Sequence, residues 1–92
     1  MTRARNIPNK YGNYPCPCCE YYTMSEGFSN TYEICSVCFW EDDGIQANNP
    51  DYEGGANGPS LQQARLTYNE MGAMEKGFIK HVRPPLPEEL PD

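Results

Sequence analysis

The chain has 92 residues, five of them cysteine, with a net charge of −6 and a mean hydropathy of −0.78. That length supports one domain with a modest core, and no apolar run approaches the roughly 20 residues a helix needs to span a bilayer, so an integral membrane protein is not expected. Between Tyr11 and Ala64 there is no Lys or Arg, while eight acids fall there, a distribution opposite to the basic footprint that nucleic acid requires.

Residues 1–13 carry Arg3, Arg5 and Lys10 beside Pro8 and Gly12, without periodicity, and read as a flexible basic arm. No apolar run follows the first basic residues, as a secretory signal would require, so a reducing, cytoplasmic setting is expected and disulfides are the minor reading of an odd cysteine count.

The stretch from Cys16 to Cys38 organises the rest. Cys16 and Cys19 are two residues apart, as are Cys35 and Cys38, and 15 residues (20–34) separate the pairs. Such spacing places four thiolates around one ion, the tetrahedral set that zinc prefers. Cys18 would leave a one-residue gap within a pair, so Cys16, Cys19, Cys35 and Cys38 are the expected ligands and Cys18 a spare thiol beside them. Pro17 fixes φ where the turn needs no donor. Glu20 stands where such a knuckle commonly has glycine, able to take positive φ. The segments 21–24 and 31–34, rich in aromatic and β-branched residues, flank Gly27, Ser29 and Asn30, so a β-hairpin joining the two knuckles is expected, as in a zinc ribbon. With so small a core, the metal is expected to contribute to folding, on the order of 10 kcal/mol in apparent terms.

Phe39 and Trp40 follow the second knuckle. Phe39 is expected to shield the metal. Trp40, beside Glu41, Asp42 and Asp43, is a candidate partner-binding anchor, with Asp51 and Glu53 extending the acidic face. A calcium loop is not expected there, because the alternating oxygen ligands closing on a bidentate glutamate are missing. A charge run is commonly no more than a solvated face; a partner of this one would be a basic protein. Residues 47–59 are dense in turn formers and lack the Gly-Lys-Ser/Thr ending of a phosphate loop.

A helix is expected from Ser60 as N-cap, with Gln63 completing a capping box, to Gly72 as C-terminal cap. Leu61, Ala64, Tyr68 and Met71 form its apolar stripe and Leu66 faces the other way. Residues 78–82 read as a short edge strand, and residues 83–92 as an extended Pro-rich tail, either clamped across its own domain or bound to an aromatic groove elsewhere. His81, the single histidine, is expected to be neither ligand nor catalyst. The fold class is therefore small α+β: a zinc-ribbon hairpin stapled by four cysteines over residues 14–82, with one amphipathic helix and the tail.

The run Tyr14-Pro15-Cys16-Pro17-Cys18-Cys19, the run from Tyr32 to Gln46, and the loop from Asn49 to the helix start at Ser60 and Leu61 resemble the small bacterial family named for its cysteine-rich Cys-Pro-Cys-Cys motif. Glu20 departs from the glycine that usually ends that motif. The resemblance implies a small metal-binding protein and carries no activity with it.

Two functional classes follow. The first is a non-enzymatic binding protein whose acidic face meets a basic partner, in its sharpest form an immunity protein occluding the phosphate site of a basic nuclease toxin. The second is an iron electron carrier of the rubredoxin kind, or a thiol redox protein using Cys18, although the 15-residue gap is short for a rubredoxin. Hydrolysis needs an open metal position and a general base, and neither is evident in the sequence.

Overall fold

The computed structural model describes residues 7–26 and 31–91. Arg3 and Arg5 of the basic arm and the Gly27, Ser29 and Asn30 turn of the expected hairpin lie outside them.

No paired strands form among the described residues. The bridges among the described residues are isolated and antiparallel, Tyr14 with Met24 and Ile34 with Glu41. The segments expected to pair with each other instead close back over their own knuckles. Tyr14 and Met24 exchange both backbone hydrogen bonds, at 2.6 and 3.0 Å, while Asp42 N–H donates to Glu33 O and Tyr32 N–H to Asp42 O, both at 2.9 Å. These bonds occupy backbone groups of both segments that a hairpin would need. Among the described residues the hairpin expected from the sequence is not formed, and each segment closes on its own knuckle.

After the second loop, helix α1 (Gly44–Asn48) is capped by Asp43, whose side chain accepts from Ile45 N–H and Gln46 N–H. The turn-rich loop that follows is fastened from within. The Gln46 side-chain amide donates to the carbonyls of Tyr52, Asn57 and Pro59, each at 3.1 Å, and accepts from Asn57 N–H at 3.0 Å. Asn57 in turn bridges to the backbone of Glu41, accepting from its N–H and donating to its carbonyl. A loop with few apolar side chains is therefore held by one buried amide that satisfies four backbone groups. Gly55 is required there, since a Cβ would stand 2.6 Å from Asp43 Oδ2 and 2.8 Å from Gln46 Cδ.

Helix α2 (Leu61–Met71) follows the expected boundaries. Ser60 Oγ accepts from Gln63 N–H, and Gly72 ends the helix in the left-handed conformation at φ 83°. Only the serine half of the capping box forms. Leu61 and Ala64 are fully buried and Tyr68 is half-buried, but Met71, expected in the same stripe, is exposed together with Leu66. The core beneath α2 consists of Met24, Val37, Trp40, Leu61, Ala64 and Met74 packed around the cysteines.

The segment expected as an edge strand is a 3-10 helix, Lys76–His81. Three residues per turn put Phe78 and His81 on one side, where both rings meet Phe39, at centroid distances of 4.5 and 5.6 Å. The tail then runs extended from Val82 to Leu86, turns through a short 3-10 helix at Pro87–Glu89, and packs back on its own chain. The tail bonds to its own domain through Arg83 N–H to Ser36 O and Tyr22 N–H to Glu89 O. The nearer part of the arm is a hydrogen-bonded turn in which Asn9 Oδ1 accepts from Tyr11 and Asn13 N–H while its side-chain amide donates to Glu88 O.

Candidate metal centre

Each cysteine pair sits on the same backbone device. In the first, Glu20 N–H donates to Cys16 O and Cys16 N–H to Tyr21 O, both at 2.8 Å; in the second, Phe39 N–H donates to Cys35 O and Cys35 N–H to Trp40 O, both at 2.9 Å. The residue after each second cysteine is left-handed, Glu20 at φ 69° and Phe39 at φ 74°. A non-glycine residue there is held against an intrinsic cost, and both knuckles carry it. The device also aims amide groups at sulfur: Cys18 N–H at Cys16 Sγ (3.4 Å), and Val37 and Cys38 N–H at Cys35 Sγ (3.3 and 3.4 Å).

Facing each other, the knuckles bring the Sγ atoms of Cys16, Cys19, Cys35 and Cys38 within 4.8 Å of one another. Cys16 and Cys38 sulfurs are 3.6 Å apart, Cys19 and Cys35 sulfurs 3.7 Å. These separations are far beyond a disulfide bond, and all five cysteines are free. Four thiolates around one zinc at about 2.3 Å stand about 3.8 Å apart along each tetrahedral edge, so the observed edges fit such an ion closely. Tetrahedral sulfur also suits iron; the donor set defines a site for one such cation without choosing between them. Cys18 is buried but outside the cluster.

The electrostatics point the same way. Hydrogen bonds from Cys16, Cys19 and Cys38, with a further one from the Thr23 hydroxyl at 3.0 Å, hold the Cys35 thiol far below its ordinary value. Burial pushes the Cys16 and Cys38 thiols well up. Thiolates packed this closely repel one another; a dication is what lets four coexist, and its binding releases protons. Three ligands are buried and Cys19 is half-buried, so the set is closed.

Thr23 carried no sequence signal, because it lies in an aromatic stretch with no fixed offset from either knuckle. Arg65, on α2, was also missed; its Nε donates to Pro17 O at 2.9 Å, tying the helix to the first knuckle.

The six residues expected to face a partner are not one surface. Trp40 is fully buried, so it cannot anchor a partner as expected; its large ring fills the core between the knuckles and α2. Asp42 is also fully buried, its Oδ2 accepting from Thr31 N–H and Oγ1 at 2.9 and 2.8 Å. Asp43 is occupied by the α1 cap and by Ala56 N–H at 2.9 Å, the bond that chiefly holds its carboxyl below the ordinary value. Glu41 is half-buried, and Asp51 and Glu53 are exposed. Asp42 and Asp43 serve as internal acceptors for loop amides, and His81, outside the four-sulfur cluster, stacks on Phe39 beside a cavity that Cys35 also lines.

Two matching knuckles, Cys16–Cys19 and Cys35–Cys38, meeting over a core this small define a compact protein built around one four-sulfur site able to hold a metal ion. A family model described as cysteine-rich CPCC matches residues 14–89, and the chain belongs to that cysteine-rich CPCC family. Among curated proteins none matches the chain. No helix among the described residues is long and apolar enough to cross a membrane.

Proposed function

We propose that the chain is a non-enzymatic zinc-binding protein that works by contact with a basic protein, the metal serving to hold its fold. The observation that carries this reading is the closed four-cysteine set: all four ligand positions are filled by sulfur and none is left for a substrate. Zinc in such a site stabilises structure, and a chain with few other core residues depends on it. The interaction half of the reading is supported by charge. The net charge is −6, the stretch from Tyr11 to Ala64 has no Lys or Arg, and Asp51, Glu53, Glu20 and Glu26 stand exposed. Opposite charge speeds encounter with a basic partner, and an immunity protein that covers the phosphate site of a basic nuclease toxin is the sharpest form of this role.

The test is a pull-down with metal-loaded protein from the native host at low and high salt, with metal content assayed on the same sample. A basic partner lost at high salt, with one zinc per chain, supports the proposal; retention of only acidic or salt-insensitive partners refutes the interaction half. A second reading, an iron electron carrier in a reducing cytoplasmic setting, draws on the amide groups aimed at Cys16 and Cys35, since hydrogen bonds to sulfur tune the potential of iron sites. Bound iron with visible absorbance would favour it, and a colourless zinc protein eliminates it.

A further inference from the structure

A second group of side chains bears on the four-sulfur site from outside. Residues 83–89 cross from one knuckle to the loop of the other. At one end Arg83 N–H donates to Ser36 O, inside the second knuckle, at 3.2 Å; at the other Glu89 O accepts from Tyr22 N–H, in the loop of the first, at 2.8 Å. Between the ends the strap is latched on itself. The two terminal nitrogens of Arg83 donate to the two carboxylate oxygens of Glu89, both at 2.8 Å, and Glu89 Oε1 also accepts from Leu86 N–H at 2.8 Å. Glu89 is only 7% exposed, so its charge depends on these partners. Tyr22, held by the strap, precedes Thr23, whose hydroxyl donates to Cys35 Sγ at 3.0 Å. That bond runs from the first knuckle's loop to a ligand of the second.

We infer that Arg83 and Glu89 are positioning residues for the metal centre: their latch holds the strap on Tyr22, keeps the Thr23 hydroxyl on Cys35, and makes metal release proceed through opening of the strap. The inference rests on metal binding by the four cysteines, and it assigns the tail a role that the closed ligand set does not require. Neither Arg83 nor Glu89 is among the four ligands, so the latch acts through the strap, on how readily the site opens.

The experiment uses the full zinc-loaded chain, with zinc stoichiometry measured first. A chain that takes up no zinc overturns the metal reading and this inference together, before the latch is altered. With zinc bound, transfer to excess chromophoric chelator is timed for the wild type, for Glu89→Gln, and for the reversed pair Arg83→Glu with Glu89→Arg. Losing a charge-assisted pair in which Glu89 is buried but the Arg83 side chain is 39% exposed raises the open population up to about 10-fold. Release from Glu89→Gln should quicken by that factor with stoichiometry unchanged, and the reversed pair should recover part of the difference, since arginine at position 89 restores the ion pair but cannot accept from Leu86 N–H. Amide exchange separates positioning from general loosening: Tyr22 and Thr23 should exchange faster in Glu89→Gln while the amides of α2 keep their protection. Release at the wild-type rate, failure of the reversed pair to slow it, or equal loosening of α2 overturns the inference. If Glu89→Gln does not fold, the wild type decides alone: Tyr22 opening at a lower free energy than Ala64 supports the latch, and opening together with Ala64 overturns it.

Discussion

Replacing Cys19 with serine, and separately Cys18 with serine, tests the ligand set most directly. Both cysteines sit in the same knuckle, one residue apart, but only Cys19 Sγ lies in the cluster, 3.7 Å from Cys35 Sγ. The apparent stabilisation from a structural zinc is about 10–16 kcal/mol, so each of four equivalent sulfurs carries about 3 kcal/mol. Serine offers a harder oxygen, and its hydroxyl resists deprotonation. Cys19→Ser should therefore weaken zinc about 100-fold, and because folding and binding are coupled it should lower the melting temperature by the same free energy. Cys18→Ser should leave zinc affinity unchanged. It places a hydroxyl in a site only 5% exposed and costs about 1–2 kcal/mol of stability. Competition against a chelator of known affinity, with thermal melts of the loaded proteins, measures both quantities. If Cys18→Ser lost zinc and Cys19→Ser kept it, the ligand assignment and the tetrahedron built on it would be wrong.

Four further outcomes are expected. Thr23→Val removes the hydroxyl that donates to Cys35 Sγ, a bond to a charged acceptor worth about 1.5 kcal/mol or more, so zinc competition should show about tenfold weaker binding. Gly55→Ala drives a Cβ into Asp43 and Gln46 and should cost about 1–3 kcal/mol in denaturant unfolding of the zinc form. Glu20→Gly relieves a left-handed residue at φ 69°, and with the side chain's own contacts deducted a gain near 1 kcal/mol raises the melting temperature by about 4 °C or more. The fourth concerns acid. Asp43 is held below its ordinary 3.8 by the Ala56 amide, and Glu89 below its ordinary 4.5 by Arg83. Depressed folded values mean that this stabilisation is complete above those ordinary values and is lost as the pH falls through the lower folded ones. Stability should fall below about pH 4, and Asp43→Asn should flatten part of that slope in unfolding curves measured from pH 6 to 3.

The metal site was legible because cysteine spacing is a geometric statement: two residues between sulfurs fit one turn of chain, and the structure repeats that turn at Cys16 and Cys35 with matching hydrogen bonds. Helix α2 was legible for a similar reason, since Ser60 and Gly72 are local devices that act whatever the rest of the fold does. What failed to show depended on distant partners. The aromatic and β-branched runs at 21–24 and 31–34 carry strand propensity, but propensity does not name the pairing partner, and the closure over each knuckle engages backbone groups of both runs instead. At Phe78 the same apolar residues served a 3-10 turn, because the surface they had to cover was one ring, Phe39.

The acidic run after the second knuckle shows why charge alone misplaced the partner surface. Glu41, Asp42 and Asp43 read as a solvated face, yet three loops converge there and leave the N–H groups of Thr31, Ile45, Gln46 and Ala56 needing acceptors. In a chain with few strands to absorb such donors, carboxylates supply the acceptors, and Trp40 is drawn in with them because it alternates with Asp42 along one extended stretch. The exposed acids that these loops do not take up include Asp51 and Glu53 on the loop and Glu26 near the first knuckle. A charge-reversal scan should therefore start with Asp51→Lys and Glu53→Lys, which leave the internal acceptors in place. If a basic partner is found and both substitutions leave its salt-sensitive binding unchanged, the loop is not the surface it meets.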